Sequence, residues 1–571
     1  MKVILLSINA KYVHSSLAVW YLASGVAQYA KYPYDVQVVE ATINQRVEEI
    51  AERVILENPD VVGISTYIWN ARKLPDLLAR IRCALPGVRI VLGGPEASCN
   101  PEHWVENGAD YVLCGEGERS FPQLLDALAE EDTERLEQVA GLCYCREKPS
   151  SGRPLDHSAS LSDAKRAVYK NQSPSSHEYV DPFTADYFAA LGGRIAYIET
   201  SRGCPYRCAY CLSGSSVYGF EQGVRFFSLE RVKEQIAKLA DSGTQTIKFV
   251  DRTFNCNQKR AYDIWKYIID MQTDCCFHFE VAGDLFDAKS LALLQSAPPG
   301  RIQLEVGLQS FHEPTLSAVA RQTDIAVVQQ NLRELLRQQN IHVHVDLIAG
   351  LPYETLGIFE KSFNQAYTIG AHTLQLGFLK LIHGSRLREQ ARELGMVYDE
   401  NPPYEIVRNP WLDEADLAVL RLVENAISHT YNKGRFLFVL QYVLAVSGQS
   451  AFAFFRGLGE SVSNHAMQLD VYAERVFAYC LGQPGVEADR LRDLMIRDLL
   501  GMTKGKCMPS FLKAEAKWRK QVVAAANLRF GRVVDFDEVA VLSSGEGVYA
   551  DSETRNKVTG LYAVYSASGD I

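Results

Sequence analysis

The strongest constraint on the fold is an alternation of short apolar runs with helical stretches that begins at the first residues. Runs rich in Val, Ile and Leu occupy residues 2–8, 36–40, 61–67, 89–93 and 111–114, and helical stretches lie between them. Short apolar strands separated by helices of about 10 to 15 residues are typical of a parallel, doubly wound sheet. Such a sheet binds its ligands at the carboxyl ends of its strands.

The loops after these strands carry glycines and small polar residues. Gly93 and Gly94 follow the fourth strand, and Gly115 and Gly117 follow the fifth. Paired glycines let a flat or bulky ligand approach the backbone closely. No GxGxxG sequence follows the first strand, which argues against a nicotinamide or flavin dinucleotide site.

Three of the 13 cysteines are clustered directly after a further predicted strand. Cys204, Cys208 and Cys211 have the spacing CxxxCxxC. Thiolates bind iron strongly, and three of them leave one iron of a [4Fe–4S] cluster open for a small molecule. A structural zinc site is the alternative. It needs a second half-site, which Cys256 or the Cys275–Cys276 pair would have to supply from a distance.

The alternation resumes after the cysteines, with strands at residues 246–250, 277–281, 301–306, 342–347 and 373–381. This pattern predicts a partial (β/α) barrel whose site lies at the carboxyl ends of the strands. Each of the polar residues at these ends is, taken alone, an ordinary cap or ion-pair partner. As a series they indicate a site: Asp251, Glu280, Glu305, Gln309, Ser310, Asp346 and Lys380.

The last 170 or so residues have a different character. Amphipathic helices are predicted at residues 412–431, 435–446, 471–479 and 488–500, with a small β element near 539–565. A basic stretch at 504–532 is interpreted as a solvated helix face, with a patch for a phosphate-bearing or RNA substrate as the alternative. The predicted domains are residues 1–145, a linker at 146–190, 191–400 and 401–571.

Composition excludes several classes of protein. The chain has 47% hydrophobic residues and a net charge of -10, which is the balance of an ordinary soluble protein and not of a general polyanion binder. The sequence contains no run of about 20 apolar residues, so no membrane span is predicted. The apolar run at the N-terminus is too short for a signal peptide. We therefore expect a cytoplasmic protein whose cysteines are thiols or metal ligands.

Taken together, these motifs resemble those of the cobalamin-binding radical S-adenosylmethionine (SAM) superfamily. The matching sequences are a serine ending the third strand, VLGGPE after the fourth, GEGE after the fifth, and CxxxCxxC with Tyr210 before the last cysteine. The resemblance implies an α/β fold: a Rossmann-like doubly wound parallel sheet, a partial TIM-like (β/α) barrel and a mostly α-helical C-terminal domain. It also implies three cofactors, namely a [4Fe–4S] cluster, SAM and cobalamin.

The resemblance assigns residues to each cofactor, and it assigns no catalytic side chain. The cluster would be bound by Cys204, Cys208 and Cys211. Tyr210 would lie beside the adenine, and Asp251 or Glu280 would receive the methionine amino group. Glu305, Gln309 and Ser310 would contact the ribose. The implied SAM contacts are Tyr210, Asp251, Glu280, Glu305, Gln309, Ser310 and Asp346. The implied cobalamin contacts are Asn9, Tyr12, His14, Ser65, Thr66, Tyr67, Gly93, Gly94, Pro95, Glu96, Gly115, Glu116 and Gly117.

The chain departs from the family pattern at three places. The DxHxxG motif that supplies a cobalt-binding histidine in some members is absent. The resemblance therefore implies cobalamin without a protein histidine on cobalt, which the intact glycine loops favour, or, as the alternative, a domain that has lost the cofactor. His14 is expected to bond the backbone. His383 and Ser385 stand where relatives often have Pro and Thr. No GGE triplet follows the second barrel strand.

The resemblance implies a methyltransferase that methylates an unactivated carbon through methylcobalamin and a 5′-deoxyadenosyl radical. The alternatives are a cobalamin- and SAM-dependent rearrangement or cyclisation without methylation, and a non-catalytic cobalamin or cluster sensor. The implied partners are a flavodoxin- or ferredoxin-type electron donor and a substrate. A small molecule is favoured as the substrate, and a modified RNA base or a peptide is the alternative.

Overall fold

Two sheets of mainly parallel strands, one after the other along the chain, form the core of the protein. The computed structural model describes residues 1–146, 167–170, 179–213, 223–462, 467–502, 508–512, 539–543, 547–550 and 562–565. Most of the basic stretch at 504–532 lies outside these residues.

The first sheet has seven strands in the order β2-β1-β3-β4-β5-β6-β7, and its first five strands are parallel. This confirms the predicted doubly wound sheet. The two antiparallel strands β6 and β7 extend its edge and were not predicted, and β7 falls within the segment predicted as a linker. The strands are β1 (Lys2–Asn9), β2 (Asp35–Thr42), β3 (Val61–Ser65), β4 (Arg89–Gly93), β5 (Tyr111–Leu113), β6 (Leu142–Arg146) and β7 (Ala167–Lys170).

Helices cover both faces of this sheet. Alternate residues of β1 belong to different buried clusters: Leu5 lies in the cluster that contains Phe121, and Leu6 lies in the cluster that contains Leu77. A strand buried on both faces reads as a continuous apolar run, which is why it was predictable. The helices are α1 (Ala18–Tyr29), α2 (Val47–Leu56), α3 (Leu74–Ala84), α4 (Pro95–Cys99), α5 (Pro101–Glu106), α6 (Gly117–Glu130) and α7 (Thr133–Leu136).

The second sheet is the predicted partial barrel. Its six parallel strands have the order β15-β14-β13-β12-β11-β8, and β9 and β10 form a separate antiparallel pair. Along β13 and β14 every second residue is fully buried. The strands are β8 (Ala196–Ile198), β9 (Ser201–Arg202), β10 (Arg225–Phe226), β11 (Thr246–Phe249), β12 (Cys276–Val281), β13 (Ile302–Gln309), β14 (His342–Ala349) and β15 (Thr373–Phe378).

The helices around the barrel pack against the apolar faces of its strands. The alternate strand positions carry partly exposed polar side chains, several of them ion-paired across neighbouring strands, and these side chains line the inside of the barrel. The helices are α8 (Ala185–Leu191), α9 (Leu229–Ala240), α10 (Gln258–Asp270), α11 (Ala288–Gln295), α12 (Glu313–Ala318), α13 (Ile325–Leu336), α14 (Leu356–Thr368) and α15 (Arg386–Glu389).

The C-terminal part is mostly helical, as predicted. Four of its helices match the predicted ones, whereas α18 was not predicted because Gly457 and Gly459 lower the helix propensity of its sequence. Gly459 allows close packing, since a Cβ there would lie 2.4 Å from the carbonyl oxygen of Leu422. The elements are β16 (Val397–Tyr398), β17 (Ile406–Arg408), α16 (Glu414–His429), α17 (Leu437–Ser447), α18 (Ala451–Ser461), α19 (Leu469–Leu481), α20 (Ala488–Met502), β18 (Val539–Val541), β19 (Gly547–Ala550) and β20 (Tyr562–Tyr565).

Among the described residues, no single helix combines the length and the hydropathy that a membrane span requires. Helices α17 and α18 meet these criteria only when taken together, and they are bent by 118° relative to each other.

Candidate active site

The loop that carries the three cysteines is fixed through the residue between two of them. The amide of the buried Ala209 donates a hydrogen bond to the carbonyl of Val319 (2.8 Å), and its own carbonyl accepts one from the amide of Leu387 (2.8 Å). The Sγ atom of Cys204 lies 3.5 Å from Oγ1 of Thr253. The loop is therefore attached to the ends of several barrel elements, which fixes the positions of its sulfur atoms.

The cysteine geometry fits an iron–sulfur cluster. Cys204, Cys208 and Cys211 lie close enough for their charges to interact. No three His, Cys, Asp or Glu side chains in the described part of the chain converge on one metal ion. A [4Fe–4S] cluster does not require such convergence, because each cysteine binds a different iron atom. The zinc alternative would require it.

A buried arginine that the sequence analysis missed lies against the cysteine loop. Arg321 donates a hydrogen bond to the carbonyl of Gly307 (2.8 Å), and its guanidinium lies 5.2 Å from the centre of the Tyr206 ring. Its side chain also hydrogen-bonds to the sulfur of Cys208. A positive donor beside a cluster thiolate stabilises negative charge on the cluster.

The carboxyl edge of the first sheet fits the predicted cobalamin site at two residues. Ser65 and Thr66 are buried at the end of β3, and their hydroxyl groups have no hydrogen-bond partner among the described residues. Buried hydroxyls normally have a partner, which a bound ligand would supply here. Gly94 follows β4 with φ of 95°, and a Cβ there would lie 2.8 Å from the carbonyl oxygen of Thr66.

Three other predicted cobalamin residues instead connect the domains or pack helices. The carboxylate of Glu116 forms ion pairs with Arg202 (2.9 Å) and Arg225. Gly117 lies against α1, because a Cβ there would lie 2.7 Å from the side chain of Leu22. The buried Glu96 accepts a hydrogen bond from the hydroxyl of Tyr404. The side chains of Glu96 and Glu116 thus hold the first sheet against the rest of the protein, whereas Gly117 packs within the first domain.

Arg202 is the centre of a buried ion-pair network. Its guanidinium contacts Glu116 in the loop after β5 and Glu118 in the first turn of α6. It also contacts Glu199 (2.9 Å), which precedes β9. The side chains of all four residues are less than one fifth exposed. The GEGE loop is thereby joined to the strand that leads into Cys204.

The loop after β1 contacts the start of β8. The ring Nδ1 of His14 lies 2.6 Å from the hydroxyl of Tyr197, so this ring bonds a side chain and not the backbone as expected. The backbone carbonyl of His14 accepts hydrogen bonds from Asn9 (3.1 Å) and Arg194 (3.1 Å). Tyr12 is 79% exposed.

Asn9 also contacts Glu40 (2.7 Å), and Glu40 forms a bidentate ion pair with Arg194 at 2.9 and 3.0 Å.

Tyr67, after β3, stacks on Trp69 with the ring centres 4.2 Å apart. Gly93, Pro95 and Gly115 lie at the same sheet edge as Ser65 and Thr66.

A charged network lines the inside of the barrel. Lys248 lies 3.3 Å from Glu305 and 3.9 Å from Glu280, and His278 lies 3.1 Å from Glu305. Burial by itself would raise the pKa of Glu305. The hydrogen bond with His278 and the positive charge of Lys248 outweigh this effect and lower the pKa of Glu305 to about 2. Burial raises the pKa of Glu280. The structure thus brings the predicted Glu280 and Glu305 together.

Asp346 lies in the next strand, 3.1 Å from Nε2 of His344. Its burial raises the pKa of its carboxyl group. Residues Glu305 and His344 are register neighbours, so Asp346 belongs to the same polar interior.

Two predicted SAM residues have their polar atoms engaged within the protein. The carboxylate of Asp251 is 1% exposed and accepts hydrogen bonds from the amide and hydroxyl of Thr200 (2.9 and 2.7 Å) and from the hydroxyl of Ser201. The fully buried Ser310 donates to Glu354 and accepts from the amide of His312 (3.0 Å). Of the two carboxylates predicted to receive the methionine amino group, Glu280 has the more exposed side chain, at 28%.

Gln309 occupies an irregular position. It has φ of 69° and lies where the register between β13 and β14 shifts by one residue. Tyr210 lies partly buried beside Cys208 and Arg321. The ribose and adenine contacts assigned to these two residues stay predictions.

Replacing Glu354 with Gln is expected to stabilise the protein at pH 8. Burial raises the pKa of Glu354 from 4.5 to about 7, although Ser310 and Ser362 donate hydrogen bonds to it. Between these values the unfolded chain binds fewer protons than the folded protein, so the wild type loses stability as pH rises from about 4.5 to about 7. Thermal unfolding of Glu354→Gln should show the gain at pH 8 and little change at pH 4.5. Exposed Glu474→Gln is the control, and equal melting shifts at both pH values would contradict the assignment.

Gly94→Ala is expected to lower stability by about 1–3 kcal/mol and to weaken cobalamin retention, because the added methyl group meets Thr66 at a positive φ. Gly87→Ala is the matched control, since no atom lies within 4 Å of a Cβ there. Thermal unfolding and the cobalamin absorbance left after desalting measure the two effects. Wild-type values for Gly94→Ala would show that this loop tolerates a side chain.

Comparison with known families agrees with the two sheets. Residues 3–125 match the B12 binding domain, and residues 198–366 match the radical SAM superfamily. The chain belongs to the cobalamin-binding radical SAM superfamily. It is a radical SAM enzyme whose cofactors are a [4Fe–4S] cluster, SAM and cobalamin. Residues 392–530 match a protein family of unknown function, DUF4080.

Relatives with similar sequences are mostly named methyltransferases. An uncharacterized methyltransferase of Pyrococcus horikoshii is 26% identical over 66% of this chain and 78% of the relative. The 2-(S-pantetheinyl)-carbapenam-3-carboxylate methyltransferase of Streptantibioticus cattleyicolor is 26% identical over 57% of this chain and 47% of its own. An anaerobic magnesium-protoporphyrin IX monomethyl ester cyclase of Cereibacter sphaeroides is 23% identical over 56% of this chain and 51% of its own. This radical SAM enzyme therefore spans about half the length of some of its curated relatives.

Solved structures of superfamily enzymes share the fold. The cobalamin-dependent SAM radical enzyme OxsB, with aqua-cobalamin bound, matches with a TM-score of 0.60 and 14% identity over 89% of this chain and 82% of the other. The radical SAM methyltransferase TsrM of Kitasatospora setae, with cobalamin and a [4Fe–4S] cluster bound, matches with a TM-score of 0.53 and 19% identity over 70% and 78%.

The cations of this radical SAM enzyme's site were not predicted from the sequence. Arg202, Arg252, Arg321 and Lys248 all lie at or near it. Their neighbours in the sequence could have indicated two of them, since Arg252 directly follows Asp251 and Arg202 lies two residues before Cys204. Arg321 follows a helix that carries no motif, so no pattern in the sequence marked it.

Proposed function

We propose that this radical SAM enzyme methylates a carbon atom of a small molecule. When bound, the cluster supplies the electron that cleaves SAM to a 5′-deoxyadenosyl radical, and cobalamin supplies the methyl group. The observation that carries the proposal is the position of the first sheet. Segments at its carboxyl edge contact the barrel side of the protein, which would bring the residues predicted for the two cofactors near each other.

Three contacts hold these parts together. The loop after β1 contacts the residue before β8 through Ser15. Helix α4 contacts Tyr404 through Glu96, and the first turn of α6 contacts Arg202 through Glu118. Tyr67, after β3, lies within electrostatic range of Arg252 on the barrel side. Such enclosure orients the reactants and excludes water from a radical.

The chain's own residues have distinct parts in this proposal. Cys204, Cys208 and Cys211 would bind the cluster, and Ser65, Thr66 and the Gly94 loop would hold cobalamin. Glu280 is the predicted partner of the methionine amino group. The charged barrel interior, with Lys248 and Glu305 at its centre, would receive a polar substrate rather than a hydrocarbon, because apolar groups would leave these charges unpaired.

The test uses the full chain, purified without oxygen and loaded with cluster and cobalamin. Reductant and SAM with a ¹³C methyl group are added to a deproteinised small-molecule extract or, in parallel, to purified RNA. We expect the label in a small molecule, together with 5′-deoxyadenosine and S-adenosylhomocysteine. Label in RNA alone would contradict the substrate class, and failure of both products with a loaded cluster would support the sensor alternative.

The second candidate is ring formation or rearrangement without methylation. It is supported by the relatives named magnesium-protoporphyrin IX monomethyl ester cyclases. In that case 5′-deoxyadenosine would form without S-adenosylhomocysteine and no product would carry the label. A flavodoxin- or ferredoxin-type protein is the proposed electron donor, and the cytoplasm is the proposed compartment.

A further inference from the structure

Helix α4 of the first domain is held at both of its ends by residues that follow the last barrel strand. It begins directly after Gly94, in the loop predicted to hold cobalamin. Near its start, the buried Glu96 accepts a hydrogen bond from the hydroxyl of Tyr404. At its end, Cys99 packs against Gly384, since a Cβ at Gly384 would lie 2.7 Å from the sulfur of Cys99. A shift of α4 would therefore displace both of these barrel-side groups.

The residues that hold α4 also hold the cysteine loop. We call residues 381–388, which follow β15, the connecting segment. A Cβ at Gly384 would lie 3.3 Å from Cδ2 of Leu212, the residue after the last cysteine of the loop. The amide of Leu387 donates a hydrogen bond to the carbonyl of Ala209, at 2.8 Å. The connecting segment thus contacts α4 on one side and the cysteine loop on the other.

Tyr404 is fixed to the connecting segment at several points. The amide of Leu381 donates a hydrogen bond to the carbonyl of Tyr404 (2.9 Å), and the guanidinium of Arg388 lies 4.6 Å from the centre of its ring. The ring of His383, at which the chain departs from the family pattern, meets the Tyr404 ring edge-on with the centres 4.9 Å apart. Tyr404 also has φ of 61°, which a bulky residue adopts only where its surroundings require it.

We propose that Tyr404 is a positioning residue that couples the two cofactor sites, so that cobalamin in the first domain strengthens the binding of SAM at the cluster. Each site is attached to the connecting segment, and a ligand that orders this segment lowers the entropic cost of ordering it for the second ligand. By linkage, SAM strengthens cobalamin binding by the same factor. This inference goes beyond the proposed function, because it concerns the binding of the cofactors and holds whether the product is methylated or rearranged.

The test measures the affinity for SAM by calorimetry on the full chain, loaded with cluster and kept without reductant, with and without hydroxocobalamin. We expect SAM to bind the wild type at least about fivefold more tightly when cobalamin is present. In Tyr404→Phe, which lacks the hydroxyl bonded to Glu96, the two affinities should agree within about twofold. Hydrogen–deuterium exchange of the peptide that contains Ala209 should slow on addition of cobalamin in the wild type and not in this variant.

Further variants separate coupling from a general structural role. Tyr479→Phe is the matched control, because it also removes a hydroxyl hydrogen bond, here to the carbonyl of Phe454 (3.0 Å) in the C-terminal helices. It should keep the wild-type ratio of affinities. Glu96→Gln retains an acceptor for the Tyr404 hydroxyl and should keep most of the ratio. Glu96→Ala breaks the same bond from the first domain and takes the place of Tyr404→Phe if that variant does not load its cluster.

Loss of the affinity ratio in Tyr404→Phe, with the ratio intact in Tyr479→Phe, supports the proposal. It is overturned if the wild type shows no ratio above about twofold. It is also overturned if Tyr404→Phe keeps the wild-type ratio, which would mean that the cofactors influence each other by another route such as direct contact. Equal losses in Tyr404→Phe and Tyr479→Phe would contradict it too, since they would reflect a general loss of stability. No turnover is measured, so absence of methyl transfer would leave these results intact.

Discussion

Cys208→Ala is expected to lose the iron–sulfur absorbance and to produce 5′-deoxyadenosine only at the level of a protein-free control. Cys208 receives a hydrogen bond from Arg321 and lies next to the doubly anchored Ala209, so its sulfur is held in place within the cysteine loop. The effect is large because radical formation depends on the cofactor and not on any side chain. Iron and sulfide analysis and mass spectrometry of the reaction mixture provide the measurement.

Cys83→Ala is the matched control for this experiment, since Cys83 is exposed and lies in α3 of the first domain. It should keep full cluster content and activity. A Cys208→Ala protein that retained both would show that the cluster is bound elsewhere, and the candidate site would have to be reassigned.

Arg194→Met is expected to destabilise the docking of the first domain by about 3–5 kcal/mol, because it leaves the carboxylate of Glu40 buried and unpaired. The two side chains are 13% and 10% exposed, and they meet through two parallel hydrogen bonds. Urea unfolding followed by circular dichroism should show an earlier first transition. The double variant Glu40→Gln with Arg194→Met should recover part of the loss, since no unpaired charge remains.

A surface ion pair provides the contrast. Arg46 is 71% exposed and pairs with Glu49 at 3.3 Å, so Arg46→Met should change the unfolding free energy by no more than about 0.5 kcal/mol. If Arg194→Met behaved in the same way, the Glu40–Arg194 pair would not hold the domains together.

The two sheets could be predicted from the sequence because each of their main strands is recognisable from its own residues. Strands such as β1 and β3 are buried on both faces and read as unbroken apolar runs. The cysteine motif was predictable for the same reason, because its three cysteines lie within eight consecutive residues. The antiparallel strands β6 and β7 were missed because an edge strand needs a partner rather than an apolar run of its own.

The roles of individual polar residues were harder to predict, because their partners are distant in sequence. Glu96 bonds Tyr404, which is 308 residues away, and Glu118 contacts Arg202, which is 84 residues away. Asp251 was predicted to be a ligand-binding carboxylate at a strand end, whereas in the structure its carboxylate accepts a hydrogen bond from the backbone amide of Thr200. A carboxylate after a strand has the same sequence context whether it binds a ligand or a neighbouring domain.

The anchoring of Ala209 also sets an order of events during synthesis of the chain. The cysteine ligands leave the ribosome long before Val319 and Leu387, whose backbone groups fix the loop between them. The newly made Cys204–Cys211 segment therefore has no fixed geometry until the barrel is nearly complete. We therefore expect iron and sulfide delivery to this protein to be a late step of its biogenesis, which follows folding of the barrel.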